Sequence, residues 1–183
     1  MAAIRYTYTP AWDAGARTTA GLTGDGHLTF SVGSVIGVVC GFSTSDRGVT
    51  YDEITHGFYI SNHRFRIIES GNFKTSVATF IPEAIFKLER SEGVVRYYVD
   101  DTLIYASSKS SEGVVYGDCS LFYYLDSIID AAVTSIESSE NVGSAEVALG
   151  AFGVEGDWNQ GRVRLPGLVA RGEEVAVLIL GAL

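Results

Sequence analysis

Between Phe86 and Ser107 the chain alternates apolar and polar positions in three short runs, separated by two turn signals. Phe86 and Leu88 fall on one side, Lys87 and Glu89 on the other. That period of two belongs to a strand and not to a helix. Ser91-Glu92-Gly93 supplies a tight turn in which Gly93 can take positive φ. Val94 to Val99 is rich in β-branched and aromatic residues, which suit a pleated surface. Asp100-Asp101 turns the chain again, since Asp tolerates left-handed backbone, and Leu103 to Tyr105 returns as a third strand. The pattern predicts an antiparallel meander.

Similar patterning extends along the chain. Ile4 to Thr9 alternates and reads as a first strand. Pro10 to Thr23 reads as a loop of small residues anchored by Trp12, and Gly24-Asp25-Gly26 as a turn. From His27 to Val32, Leu28, Phe30 and Val32 share a face. Val35 to Phe42 is almost continuously apolar, as expected of a strand buried on both faces. Ser43 to Asp52 is a polar loop. His56 to Ile60 and Arg64 to Glu69 read as strands around Ser61-Asn62, with Arg64, Arg66 and Ile68 on one face and Phe65 and Ile67 on the other. Phe73 to Ile81 reads as a further strand, with Pro82-Glu83 at its boundary. Gly113 to Tyr124 and Ile128 to Ile136 follow. Some eleven closely spaced strands and no helix predict an all-β, two-sheet antiparallel sandwich. Ser138-Ser139-Glu140-Asn141 breaks the pattern. It divides a sandwich over residues 1–137 from a short β-rich C-terminal appendage over 138–183. The apolar terminus Val175 to Leu180 reads either as a closing strand of the chain's own core or as a surface against another subunit.

The chain has 183 residues, 21 of them Gly and 3 Pro, and is 46% hydrophobic, so it can close a core with many tight turns. Its net charge of −9 argues against nucleic-acid binding and against anionic membrane surfaces. No apolar run is long enough to span a bilayer, and no signal peptide is visible at the start. Cys40 and Cys119 both lie in apolar strand-like runs. They read as free buried thiols or as a single cross-sheet disulfide.

The segments Lys87-Leu88-Glu89-Arg90, Gly93 to Ser107, Gly117 to Phe122 and Asp126 to Ala131 resemble the strands of concanavalin A-like (laminin G-like) jelly-roll domains. Tyr6 to Asp13 and Gly24 to Leu28 resemble the opening of such domains in tail proteins of tailed bacteriophages. Arg162 to Leu168 resembles a short β segment that follows them. The resemblance covers residues 4–137. It implies a jelly-roll sandwich in a virion protein of the tail tip or fibre, assembled in the host cytoplasm and released by lysis. It implies a homo-oligomer, a trimer first, contacting other virion proteins and host surface polysaccharide without catalysis. The alternatives are a purely architectural capsid-decoration or baseplate component and, more remotely, a polysaccharide depolymerase.

Catalytic signatures are sparse. No HExxH, HxH or CxxC spacing accompanies His27, His56 and His63, which read as surface or edge-strand residues. No G-x-S-x-G elbow is present. Glucanases on this jelly roll resemble E-x-D-x-x-E on one strand. Here Asp52-Glu53, Asp100-Asp101 and Glu173-Glu174 are adjacent pairs that would face opposite ways. No cofactor is expected. Calcium, which many related folds bind, has weak candidates in Asp100, Asp101, Asp118 and Asp126, read as turn residues. Glycan binding needs an aromatic platform with hydrogen-bonding groups. Tyr123 and Tyr124 are candidates, as are Asp157, Trp158, Asn159 and Gln160. Tyr123 also reads as core, alternating with Leu121 and Leu125, and Trp158 as an anchor for the tail.

Overall fold

The computed structural model describes residues 2–4, 9–33, 36–45, 48–139, 142–151, 155–157, 162–164, 168–171 and 177–179, with side chains over 9–136. The first strands are β1 (Ala2–Ile4), β2 (Ala14–Thr18), β3 (Leu22–Thr23), β4 (Gly26–Val32) and β5 (Val38–Ser43). Then come β6 (His56–Ser61), β7 (Arg64–Glu69), β8 (Asn72–Phe73), β9 (Ala78–Thr79), β10 (Phe86–Ser91), β11 (Val94–Val99) and β12 (Thr102–Ser110). β13 (Val114–Leu121), β14 (Ser127–Ser139), β15 (Val142–Ala151), β16 (Glu155–Asp157), β17 (Arg162–Arg164), β18 (Leu168–Arg171) and β19 (Val177–Ile179) complete the series. Among the described residues the only helical turn is a 3-10 turn at Tyr51–Glu53, and no helix is long and apolar enough to cross a membrane.

The strands form two large antiparallel sheets. The first runs β12-β11-β10-β4-β14-β1-β19, with β15 also on β14. The second runs β18-β2-β13-β5-β6-β7-β8, with β3 on β13 and β9 on β7. The sheets face each other across one hydrophobic core. Phe58 on the second sheet lies 5.0 Å from Phe86 and 5.5 Å from Tyr97 on the first, ring centre to ring centre. Such pairs add about 0.5–1.5 kcal/mol each beyond the area they bury. The fold is the two-sheet antiparallel jelly-roll sandwich that the alternation predicts.

Local sequence explains the hairpins. At Asn62-His63, Ser70-Gly71, Glu92-Gly93 and Asp100-Asp101 both loop residues have positive φ. This is the two-residue loop whose twist matches that of its flanking strands. β10 and β4 carry their apolar residues inward at every second position, as the pattern requires.

Three expectations are corrected. Residues 14–18 form a buried strand, β2, and not a loop. The small residues that look loop-like are there for close approach, since a Cβ at Gly15 would collide with the Cys119 carbonyl oxygen. Residues 73–81 give only the two-residue strands β8 and β9, because Thr75 instead uses its hydroxyl and carbonyl on the β7 residues Ile67 and Arg66. His56 is buried rather than at the surface, placed inward by the alternation of β6.

Of the C-terminal strands, β15 pairs with β14, β18 with β2 and β19 with β1. β14 itself continues to Ser139, through the position at which the sequence pattern breaks.

Candidate ligand-binding face

Alternation along β5, β6 and β7 sends Val38, Cys40, Phe58, Ile60, Phe65 and Ile67 into the core. Val39, Tyr59, Ser61, Arg64, Arg66 and Ile68 therefore project from the opposite, outer face of the second sheet. On that face Val39, Ile54 and Ile68 form a small separate apolar cluster, flanked by Trp12, Tyr51 and Tyr59. Trp12 does anchor its segment. Its ring centre lies 5.0 Å from Tyr51, 5.8 Å from Tyr59 and 5.1 Å from Phe122. Tyr59 in turn meets Phe73 edge-on at 5.3 Å. The result is a band of half-buried rings, Phe122–Trp12–Tyr59, ending at the exposed Phe73. Burial, and then the neighbouring Tyr51, pushes the Tyr59 hydroxyl up, so it remains a neutral hydrogen-bonding group.

Two arginines lie beside the Phe73 end. Arg66 is opposite Tyr59 in the ladder, and Arg64 opposite Ser61. The Arg66 guanidinium stacks 3.7 Å from the Phe73 ring centre and donates from Nε to the Thr75 carbonyl at 3.2 Å. That hydrogen bond does not use its terminal nitrogens. Arg64 is exposed. Among the described residues neither guanidinium is ion-paired. Tyr59, Ser61, Asn62, Arg64, Arg66 and Val77 line an open cavity of about 180 Å³. Ser61 Oγ is held by the Ile36 carbonyl at 2.6 Å, and the Asn62 amide by Ser61 Oγ at 3.4 Å.

Register places several loops at the same end of this sheet. Leu121 pairs with Val38, Val38 with Ile60, and Ile60 with Phe65. The 122–126 connection therefore sits beside the 36–37 loop and the 61–64 hairpin. Asp126 ties them together, accepting from the backbone N–H groups of Ile36, Gly37 and Tyr123. Tyr123 and Tyr124 are half-buried on this connection, next to Phe122 and so close to one end of the ring band. Leu125 is exposed, so Tyr123 is not part of a core alternation. Asp157 lies in β16, which among the described residues pairs with β17 alone. Trp158, Asn159 and Gln160 lie outside the described residues.

The four aspartates proposed for calcium do not converge. Asp100 and Asp101 form the β11–β12 turn, where Asp100 Oδ1 accepts from Ile85 N and Asp101 pairs with Lys87 at 3.5 Å. Asp118 is not in a turn. It is buried in β13, opposite Arg17 and Gly41. Asp126 is enclosed by its three backbone donors. Among the described residues no three His, Cys, Asp or Glu side chains group as a metal set.

A second hollow, about 450 Å³, lies against the first sheet and includes Thr29, Ser31, Ile85, Glu83 and Asp130. Its two carboxylates are both solvent-exposed, without the apolar enclosure that a general acid needs.

Sequence reasoning placed Arg64 and Arg66 on one face but assigned them no role. The available signal was a pair of like charges on one strand face of an acidic chain. Their freedom from carboxylates depends on neighbours brought in by the fold.

The fold and this face define a jelly-roll sandwich with an aromatic, cation-flanked outer surface. Among solved structures, the chain is similar to the galectin LEC-6 of Caenorhabditis elegans, at 10% identity and a TM-score of 0.39. That match covers 70% of this chain and 94% of the galectin. It is also similar to the native heptameric SAP-like pentraxin of Limulus polyphemus, at 9% identity and a TM-score of 0.45, covering 97% and 96% of the two chains. No family model matches the sequence, and no curated protein matches it.

Proposed function

We propose that the chain is a non-catalytic glycan-binding protein that uses the outer face of its second sheet for adhesion. The observation that carries this reading is the ring band Phe122–Trp12–Tyr59–Phe73 with polar side chains and two arginines along its edge. Sugar rings present apolar C–H faces and a rim of hydroxyls, so half-exposed aromatics beside hydrogen-bonding groups suit them. No step of this reading needs a metal or a reacting group.

The sequence resemblance to phage tail domains supplies the setting. Within it the chain is a virion component of the tail tip or fibre, oligomeric and first of all trimeric, contacting host surface polysaccharide. A purely architectural virion role is the second reading. It is favoured by the exposed side chains of Val77 (55%), Ile81 (70%) and Ile85 (56%), which suit protein contact better than sugar.

The test is binding of the purified protein to intact bacterial cells and extracted surface polysaccharide, with Tyr59→Ala and Phe73→Ala beside it. Saturable binding lost in both variants, without release of sugar, supports adhesion. A folded oligomer that binds no cell or glycan shifts the reading to architecture.

A further inference from the structure

The Arg64–Arg66 cavity contains chemistry that a neutral sugar does not require. The chain carries 22 acidic and 13 basic Lys and Arg residues, so cations without a carboxylate partner stand out. Here two of them, two residues apart on one strand face, line the same hollow. Their Cα atoms are about 7 Å apart, so both guanidiniums can reach one anionic group. Arg66 is held in place by the Phe73 ring and the Thr75 carbonyl, which lowers the entropy lost on binding. Arg64 is exposed and adjustable. A volume of about 180 Å³ is below the range of roughly 300–1,000 Å³ typical of enclosing small-molecule pockets. It fits one unit of a longer chain lying along the face.

We propose, building on the glycan reading above, that this cavity is an anion subsite for a carboxylate-bearing saccharide unit within an acidic polysaccharide. The carboxylate takes the forked guanidinium contacts of Arg64 and Arg66. Ser61 and Asn62 face the hydroxyls, and the rest of the polymer runs toward Tyr59 and Trp12 along the ring band.

The experiment measures affinity, by titration calorimetry at low and moderate salt, for polygalacturonate and polysialate. Methyl-esterified polygalacturonate and dextran serve as neutral counterparts. The expected result is an acidic polymer bound about ten-fold or more tightly than its neutral counterpart, with the preference shrinking as salt rises. Arg64→Gln and Arg66→Gln should each abolish most of that preference. Arg64→Lys should keep part of it, because charge remains without the fork. Arg96→Gln, on the other sheet, should change nothing. Arg64 is exposed and its side chain makes no hydrogen bond or ion pair among the described residues, and a urea midpoint equal to wild type would separate loss of binding in Arg64→Gln from unfolding.

Equal affinity for the acid and its methyl ester overturns the anion subsite. So does a loss shared equally by Arg96→Gln, which would mean diffuse attraction only. Binding to neutral polysaccharide that needs Tyr59 and Phe73 but not Arg64 overturns the subsite and leaves glycan adhesion standing. Binding to no saccharide, or to nucleic acid alone, overturns both.

Discussion

Tyr97 Oη donates to Glu69 Oε1 at 3.2 Å, joining β11 of one sheet to β7 of the other inside the sandwich. Glu69 is 1% exposed, and its second oxygen lies 3.8 Å from Lys74 Nζ. Burial, and then the charge of Glu69, pushes the Tyr97 hydroxyl far above its ordinary range, so it stays a donor. Tyr97→Phe should therefore destabilise the fold by about 1–3 kcal/mol in urea unfolding, the cost of a buried acceptor losing its donor. Adding Glu69→Leu should recover much of the loss, because the group left stranded is then gone. A Tyr97→Phe protein of unchanged stability would show that the link contributes nothing.

His56 is the titratable neighbour of this pair. Its ring is buried, with Nε2 3.4 Å from the Lys109 carbonyl oxygen. Burial lowers its pKa most, and the charges of Lys109 and Lys74 add to that. Glu69 and the Lys109 carbonyl act the other way without cancelling it. The unfolded chain thus takes up this proton at higher pH than the native one. The stability linked to His56 is complete above an unfolded pKa of about 6.5 and is lost as pH falls toward the lower folded value. The slope is at most about 1.4 kcal/mol per pH unit. Urea midpoints from pH 7.5 to 5.5 should fall for the wild type and flatten in His56→Gln. Identical slopes in the two proteins would remove His56 as the cause.

Much of the sandwich was legible from alternation, because a half-buried strand must alternate. Leu28, Phe30 and Val32 in β4, and Phe86 and Leu88 in β10, are inward as expected. β2 was not legible. Ala14, Gly15 and Ala16 have little hydrophobic signal, and what selects them is the backbone of β13 pressing against them. The candidate site was legible only in pieces. Tyr123 and Tyr124 stand out in the sequence as aromatics near a loop, and register does bring that loop to the end where Arg64 lies. Trp12, Tyr59 and Phe73 come from three distant parts of the chain. No local pattern announces that their rings touch.

Arg90 shares the inward face of β10 with Phe86 and Leu88. Arg90 is 1% exposed and donates to the carbonyls of Gly24 at 2.6 Å, Leu22 at 2.9 Å and Gly113 at 2.9 Å. It ties the β3–β4 turn to the start of β13. Burial lowers its pKa, and nearby Asp25 partly offsets this. Arg90→Met keeps much of the apolar stem but leaves three carbonyls without this donor. It should cost about 2–4 kcal/mol. Arg90→Lys should recover only part, since a single ammonium cannot reproduce the planar fork. Equal stability of Lys and Arg at this position would show that charge alone matters.

Cys40 and Cys119 are directly opposite in the β5–β13 ladder, and both are buried thiols outside any disulfide. Burial raises the Cys40 thiol well above its usual range, and the charges of Cys119 and Asp118 add to the effect. The nucleophilic thiolate is therefore scarce as well as shielded. Ellman's reagent should find no reactive thiol in the native protein and both in denaturant. An intact mass short by two hydrogens would instead establish a cross-strand disulfide.

Asp126 separates a turn-fixing carboxylate from a calcium ligand. Its Oδ2 accepts from Gly37 at 3.0 Å and from Tyr123 at 2.7 Å, while Oδ1 accepts from Ile36. A cation would have to displace donors that already bring positive dipoles to both oxygens. Burial even raises the carboxyl pKa despite them. Asp126→Ala should thus cost about 2–4 kcal/mol by orphaning three backbone N–H groups. Calcium should leave the wild-type melting temperature unchanged, and chelation should leave polysaccharide binding unchanged. A bound ion would be conspicuous, because a ligand at a hundred times its Kd adds about 2.7 kcal/mol to stability. A calcium-dependent rise in melting temperature that disappears in Asp126→Ala would return this residue to a metal site. It would also require the 36–37 and 122–126 loops to rearrange around the ion.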